Sequence, residues 1–156
     1  MHKYSFRTDW RLPVAPERCW QELVVQHSWR LWWPALRDTD RVETPLLPGS
    51  ELRLTVRSPL GYRLRVSLIV VELATNRFLK VTGSGDLQGQ GRAYFRAEEL
   101  PSGQQGTRLR IFWTVQTTRH WMNLLSPVAA PIFGWAHGAV MRDGERRFRR
   151  YLTTST

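Results

Sequence analysis

Four histidines and one cysteine are the residues of this sequence best suited to metal, nucleophilic or acid–base chemistry. His2, His27, His120 and His137 share no short ligand spacing with one another or with Cys19, so the pattern predicts no metal site. The chain has no Gly-x-Ser-x-Gly motif, and Cys19 lies among helix-forming residues, which is typical of a core residue rather than a nucleophile. No motif indicates a cofactor, and we expect none.

Acid–base chemistry is left to the histidines near the C-terminus. His120 and His137 lie at or on the predicted C-terminal helix, together with Asp143. An imidazole that lines a cavity can exchange a proton with an enolisable ligand near neutral pH. A lone histidine at such a position is more often a hydrogen-bonded structural residue. His137, with His120 in reserve, is therefore the candidate for catalysis, and the structural alternative stays open.

The segment 81–95, VTGSGDLQGQGRAYF, carries four glycines, all at odd positions: Gly83, Gly85, Gly89 and Gly91. A phosphate-binding loop would lie between a strand and a helix, whereas Ala93-Tyr94-Phe95 continues as a strand and the chain has no GK[ST] motif. Residues of one parity share one face of a strand, so these glycines remove side chains from that face. The pattern predicts a hollow; bulges or sheet curvature are the alternative.

The net charge of +10 comes almost entirely from arginine, since Lys3 and Lys80 are the two lysines of the chain. Such a balance raises nucleic acid or an anionic membrane surface as a partner. The arginines are spread along the chain and many alternate with apolar residues, which is typical of a solvated sheet face. Nucleic acid is therefore not the expected partner, although a basic surface module remains an alternative.

A single cysteine and an N-terminus without a signal-peptide pattern favour a reducing compartment, so we expect a cytoplasmic location. The 156 residues are expected to form one domain, 1–156. Residues 3–12 alternate between polar and apolar types and predict a first strand. Two short helices follow, one from about Pro16 to Val25 and one between Ser28 and Pro34.

Successive alternating segments then predict a meander of six or seven antiparallel strands with an arginine-rich outer face. The segments are residues 41–44, 51–57, 62–70, 78–85, 91–98 and 108–116. The inner face needs a cover, and apolar residues at helical spacing predict a long amphipathic helix from about Pro131 to Leu152.

The stretch from Trp121 to Met141 holds no Asp, Glu, Lys or Arg and is about as long as a membrane span. Its two prolines and two glycines argue against a span, as does the loss of the helix that covers the sheet. A peripheral contact with an anionic membrane through Trp121, Met122, Leu124 and Leu125 remains an alternative.

Local features resemble the START-related SRPBCC superfamily, in particular the small polyketide cyclase/dehydrase-like proteins. They are the segment LPVAPERCW at 12–20, Trp33-Pro34, GQGR at 89–92, GTRL at 106–109, WAH at 135–137 and VMRDG at 140–144. The resemblance covers nearly the whole chain. It implies an α+β helix-grip fold, in which the antiparallel sheet wraps around the long C-terminal helix. It also implies a deep, mostly apolar cavity between sheet and helix for a lipid, polyketide, hormone or other hydrophobic molecule.

We therefore expect an internal cavity that binds a hydrophobic small molecule. Flat aromatic rings suit such a ligand. The expected ligand-binding residues are Trp32, Trp33, Gly83, Gly91, Ala93, Phe95, Trp113, Trp121, Trp135 and His137. The alternatives are a cofactor-free polyketide cyclase or dehydratase that uses cavity histidines, and a basic surface module for anionic membrane or nucleic acid. The sequence leaves the ligand's identity and the oligomeric state open.

Overall fold

The structure, a computed structural model, describes residues 3–25, 29–37, 46–117 and 126–154. Seven strands and three helices follow one another in the described residues. They are β1 Lys3–Leu12, α1 Pro16–Trp20, a π-helical turn Gln21–Val25, α2 Trp29–Trp32, β2 Leu36–Arg37, β3 Glu51–Arg57, β4 Arg63–Ala74, β5 Phe78–Gly85, β6 Leu87–Glu99, β7 Gln105–Thr117 and α3 Ser126–Thr154.

The strands form one antiparallel sheet in the order β1-β7-β6-β5-β4-β3-β2. Strands β2 to β7 are a meander in which each strand pairs with the next, and β1 pairs with β7. The curled sheet and the long C-terminal helix together confirm the expected helix-grip α+β fold. The candidate strand at residues 41–44 lies outside the described residues.

The alternation of residue types sets which face of each strand is covered. In β1, Tyr4, Trp10 and Leu12 are buried, whereas Arg7 and Arg11 are exposed. Strand β6 begins at Leu87, four residues before the predicted start, because the turn after β5 is very short and leaves Gly89 free to pair with Gly83.

The long helix α3 begins at Ser126, five residues before the predicted start at Pro131. Pro131 lies inside it, where the missing N–H removes one intrahelical hydrogen bond. Buried residues follow one another at helical spacing along the face that covers the sheet: Phe133, Ala136, Met141, Gly144, Phe148 and Leu152. No helix in the described ranges is long and apolar enough to cross a bilayer.

The buried apolar residues form two clusters. The main core joins α1, α2 and the second half of α3 to the middle of the sheet, and Trp10, Trp33 and Phe148 belong to it. A smaller cluster lies under the first turns of α3 and contains Tyr4, Leu64, Val115 and Phe133. The indole of Trp113 packs against both clusters.

Candidate ligand cavity

A cavity of about 110 Å³ lies between the inner face of the sheet and α3, within the smaller cluster. Residues of five strands, of the β3–β4 turn and of α3 line it: Tyr4, Phe6, Val56, Ser58, Tyr62, Leu64, Leu87, Val115, Phe133, Ala136, His137 and Val140. None of these residues carries a formal charge at neutral pH when the histidine is neutral. The cavity is therefore an apolar space with a few polar atoms at its boundary.

Aromatic rings fix the end of the cavity near the start of α3. The ring of Phe133 stands edge-on to the ring of Tyr4, with 5.4 Å between centroids, and edge-on to Tyr62 at 6.1 Å. The rings of Tyr4 and Phe6 are parallel at 6.2 Å. These edge-to-face contacts are favoured by the ring quadrupoles, so they hold the aromatic wall in a defined geometry.

His137 is the one residue of the lining that can titrate between pH 4 and pH 7. Its imidazole stacks on the ring of Phe6, with centroids 4.1 Å apart and planes at 11°. The buried Nε2 atom has no hydrogen-bond partner among the described residues. Burial lowers the pKa of His137 from 6.5 to about 4, because the charged imidazolium is poorly solvated there.

The sequence prediction was that His137 exchanges protons near neutral pH, whereas burial holds the pKa of this imidazole at about 4. At pH 7 the imidazole is neutral and offers one N–H donor and one acceptor nitrogen. It is suited to hydrogen bonding with a polar group of a ligand, since a general acid or base works best with a pKa near the operating pH.

Most of the aromatic residues expected around the ligand lie elsewhere. Trp32 and Trp33 are buried in the main core, where the ring of Trp32 stacks on Phe148 at 4.5 Å. Trp135 is 54 % exposed on α3. His120 and Trp121, like the proposed membrane-contact residues 122, 124 and 125, lie outside the described residues. Of the expected residues that the structure describes, His137 alone lines the cavity.

The glycines of β5 and β6 do share one face, as their parity predicts, but they do not open the expected hollow. Gly83 pairs with Gly89, and Val81 pairs with Gly91. A Cβ atom on Gly91 would lie 2.4 Å from Cζ3 of Trp113, so the indole occupies the space that the glycine leaves. A Cβ atom on Gly83 would make ordinary contacts with the side chain of Leu68. The prediction of a hollow at Gly91 was therefore wrong, because the indole of Trp113 fills that space.

The remaining expected residues of β6 also pack in the main core. Phe95 is buried, and its ring stands edge-on to Trp20 at 5.3 Å. Ala93 is partly buried against the same core. The contact between Trp20 and Phe95 packs α1 against β6, and neither Phe95 nor Ala93 lines the cavity.

Sequence reasoning missed the aromatic residues that form the cavity. The residue pattern places Tyr4 and Phe6 on the core face of the first strand, and Phe133 on the apolar stripe of the C-terminal helix. Only their positions could have identified them. Tyr4 and Phe6 lie on β1, which pairs with β7, and Phe133 lies in α3 just after Pro131. The pattern gives the face of each residue, whereas the unfilled volume depends on how the rings meet.

Other chemistry finds little support in the described ranges. They contain no group of three His, Cys, Asp or Glu side chains that could hold a metal ion. Cys19 is buried, and burial raises the pKa of its thiol to about 11, so the thiol is protonated at neutral pH. Protonated and buried, the thiol is poorly suited to act as a nucleophile.

Solved structures share this fold along almost its whole length. TTHA0849 from Thermus thermophilus superposes with a TM-score of 0.71 at 18 % identity, covering 98 % of this chain and 100 % of that one. DR_A0006 from Deinococcus radiodurans has a TM-score of 0.61 at 15 % identity, with coverage of 98 % and 99 %. Ara h 8.0201 has a TM-score of 0.54 at 17 % identity, with coverage of 92 % and 96 %.

No protein-family model matches the chain, and no curated sequence matches it either. The structural likeness, at these identities, establishes the helix-grip fold.

Proposed function

We propose that this protein binds a small hydrophobic molecule in the cavity between the sheet and α3. The observation that carries the proposal is the cavity of about 110 Å³ with its apolar and aromatic lining. Apolar cavities of about 150 Å³ stay dry and take up benzene-sized molecules. A ring of that size, or the apolar end of a longer molecule, is the class of ligand that this space suits.

The fold supports the same function. The sequence resembles the SRPBCC superfamily, and Ara h 8.0201 has a similar structure. That resemblance implies a ligand cavity between the sheet and the C-terminal helix. The cavity beside Phe133 and Ala136 lies in that interlayer space.

His137 gives the cavity its polar selectivity in this proposal. The neutral imidazole is held against Phe6, and its Nε2 has no partner in the described part of the chain. A ligand hydroxyl or carbonyl at the edge of an apolar ring would satisfy it, and a buried polar atom that gains a partner stabilises the complex. The low pKa of His137 favours binding over the cyclase or dehydratase alternative, because an imidazole with a pKa of about 4 is a weak base.

Native mass spectrometry of the protein purified from its own host tests the proposal. We expect a co-purifying apolar molecule at up to one per chain. Ala136→Leu should abolish the adduct, because the added isobutyl group enters the cavity that Ala136 lines. Ala139→Leu makes the same change three residues away on the same helix, at a position outside the lining, and should retain the adduct. An adduct that survives in Ala136→Leu would place the ligand elsewhere.

A further inference from the structure

The outer face of the sheet carries a second feature, which is separate from the cavity. An open groove of about 1040 Å³ runs from the β4–β5 turn and the start of α1 over the outer face of β6 and β7. Six aromatic or basic residues on the outer face of those strands line it: Tyr94, Phe112, Arg92, Arg96, Arg108 and Arg110. The rest of the lining is Pro16, Glu17, Thr75, Asn76, Arg77, Phe95 and Ala97. We call this surface the outer groove. The six aromatic or basic residues have even numbers, whereas the residues of β6 and β7 that pack in the core, such as Phe95 and Leu109, have odd numbers.

The strand register places like charges directly opposite one another in the outer groove. Arg96 pairs with Arg108, and Arg108 pairs in turn with Arg11 of β1. Opposite residues on neighbouring strands have Cβ atoms about 5 Å apart, and like charges at that distance destabilise the sheet. The Glu98 carboxylate lies 4.0 Å from the Arg11 guanidinium, and a Glu145 carboxylate oxygen accepts a hydrogen bond from the Arg11 backbone N–H at 2.8 Å. The row is a concentrated positive charge that an anion would neutralise.

Three arginines of the outer groove have no acidic partner in the described ranges. Arg110 is 3.2 Å from a carboxylate oxygen of Asp9, but Arg92, Arg96 and Arg108 make no ion pair there. The Nε atom of Arg108 is also buried without a hydrogen-bond partner among these residues. An unpaired guanidinium is a forked donor whose geometry suits phosphate oxygens.

Aromatic rings lie between these cations. The rings of Tyr94 and Phe112 are 5.9 Å apart, and about two fifths of each side chain is exposed. Phe78 extends the row at 5.1 Å from Tyr94, and the guanidinium of Arg7 lies 5.9 Å from the centre of the Phe112 ring. Exposed rings among arginines on a sheet are the arrangement that single-stranded nucleic acids use, with bases on the rings and phosphates on the cations.

We propose that the outer groove binds single-stranded nucleic acid. Tyr94 and Phe112 stack on bases, and Arg92, Arg96 and Arg108 contact phosphates. The shape and charge of the surface favour this partner over two others. A membrane interface is met by protruding apolar side chains, whereas these rings lie in a groove. A second copy of the chain would bring one positive surface against another.

Fluorescence anisotropy with a labelled oligothymidylate of about ten nucleotides tests the proposal, since single-strand sites span roughly 4 to 16 nucleotides. Tyr94→Ala and Phe112→Ala should each weaken binding at least about fivefold, because stacking contributes about 1 kcal/mol or more per base. Arg96→Gln with Arg108→Gln should weaken binding and reduce the slope of log K against log salt by about 1.4, at about 0.7 per phosphate contact.

Matched controls separate the outer groove from general charge and from the cavity. Arg149→Gln with Arg150→Gln removes the same charge from exposed positions on α3 and should change the affinity by less than about twofold at physiological salt. Ala136→Leu should bind the oligonucleotide like the unsubstituted chain, so failure of the cavity proposal would leave this one standing. If an alanine variant does not fold, leucine at the same position keeps the apolar bulk and removes the ring face.

Four results would overturn the proposal. The first is that the oligonucleotide does not bind, and the second is that both ring variants bind it with unchanged affinity. The third is that polyphosphate, which has charge but no bases, competes for the protein as well as unlabelled oligonucleotide does. The fourth is that these arginines bind phosphatidylserine vesicles while the protein does not bind the oligonucleotide. Loss of affinity in the ring variants, together with the reduced salt slope, supports it.

Discussion

His137→Phe should make the protein less sensitive to acid. The variant keeps an aromatic ring against Phe6 and removes the buried group that titrates. Burial holds the pKa of His137 at about 4, whereas the unfolded chain has the ordinary value of 6.5. On acidification the unfolded state therefore takes up the proton first, and the folded state loses stability between about pH 6.5 and pH 4.

The size of the effect follows from the two pKa values. At pH 5 the unfolded imidazole is almost fully protonated and the folded one almost neutral, which costs the folded state about 2 kcal/mol relative to pH 8. Well below pH 4 the loss from this group levels off at about 3 kcal/mol. Above pH 6.5 both states are neutral, so the contribution of His137 to the free energy of unfolding is fully present there.

Urea unfolding from pH 8 to pH 4.5 measures this difference. The free energy of unfolding should fall less in His137→Phe than in the unsubstituted chain, by about 2 kcal/mol at pH 5. Phe6→Leu is the matched control: it removes the stacked ring but keeps the histidine, so it should lower stability at every pH and retain the pH dependence. Equal pH dependence in His137→Phe and the unsubstituted chain would refute the argument that this imidazole is buried and neutral.

Glycine substitutions test the packing of the sheet and of α3. Gly91→Ala should cost about 1–3 kcal/mol because its Cβ meets the indole of Trp113 at 2.4 Å, and urea unfolding should show a smaller cost when Trp113 is leucine. Additive effects of those two changes would contradict the contact. Gly134→Ala should raise the free energy of unfolding by about 0.5–1 kcal/mol, and with it the melting temperature, because alanine favours the helix and its Cβ would lie in open space. Gly144→Ala should lower the melting temperature, because that Cβ would lie 2.5 Å from the Trp33 ring; the opposite order in calorimetry would refute the contact between α3 and Trp33.

The fold was predictable because polar and apolar residues alternate along the strands. One face of each such strand is therefore apolar and must be buried. The alternation in residues 3–12 gave β1 its full extent, and the odd-numbered glycines gave β5 and β6 a common face. The start of α3 was misplaced because Pro131 resembles a first-turn residue. The sequence pattern does not show that five residues before it are also helical.

The sequence could place the cavity only in the space between the sheet and the helix, without identifying the residues that line it. Tryptophans are large and flat enough to line it, but size also makes them the best fillers of the main core, where Trp32 and Trp33 lie. The space that stays open depends on how the ring of Phe133 meets the rings of Tyr4 and Tyr62, a tertiary detail with no local signature. His137 was recognisable because a histidine among apolar helical residues stands out from its neighbours.

Calorimetric titration with toluene or indole tests the central claim most directly, because a ring of that size matches a cavity of about 110 Å³. We expect saturable binding of one molecule per chain with a Kd below about 1 mM, or at least about 4 kcal/mol of binding free energy. Ala136→Leu should show no heat of binding, and Ala139→Leu should bind like the unsubstituted chain. No saturable binding to the unsubstituted chain, or equal binding to Ala136→Leu, would contradict a ligand site between the sheet and α3.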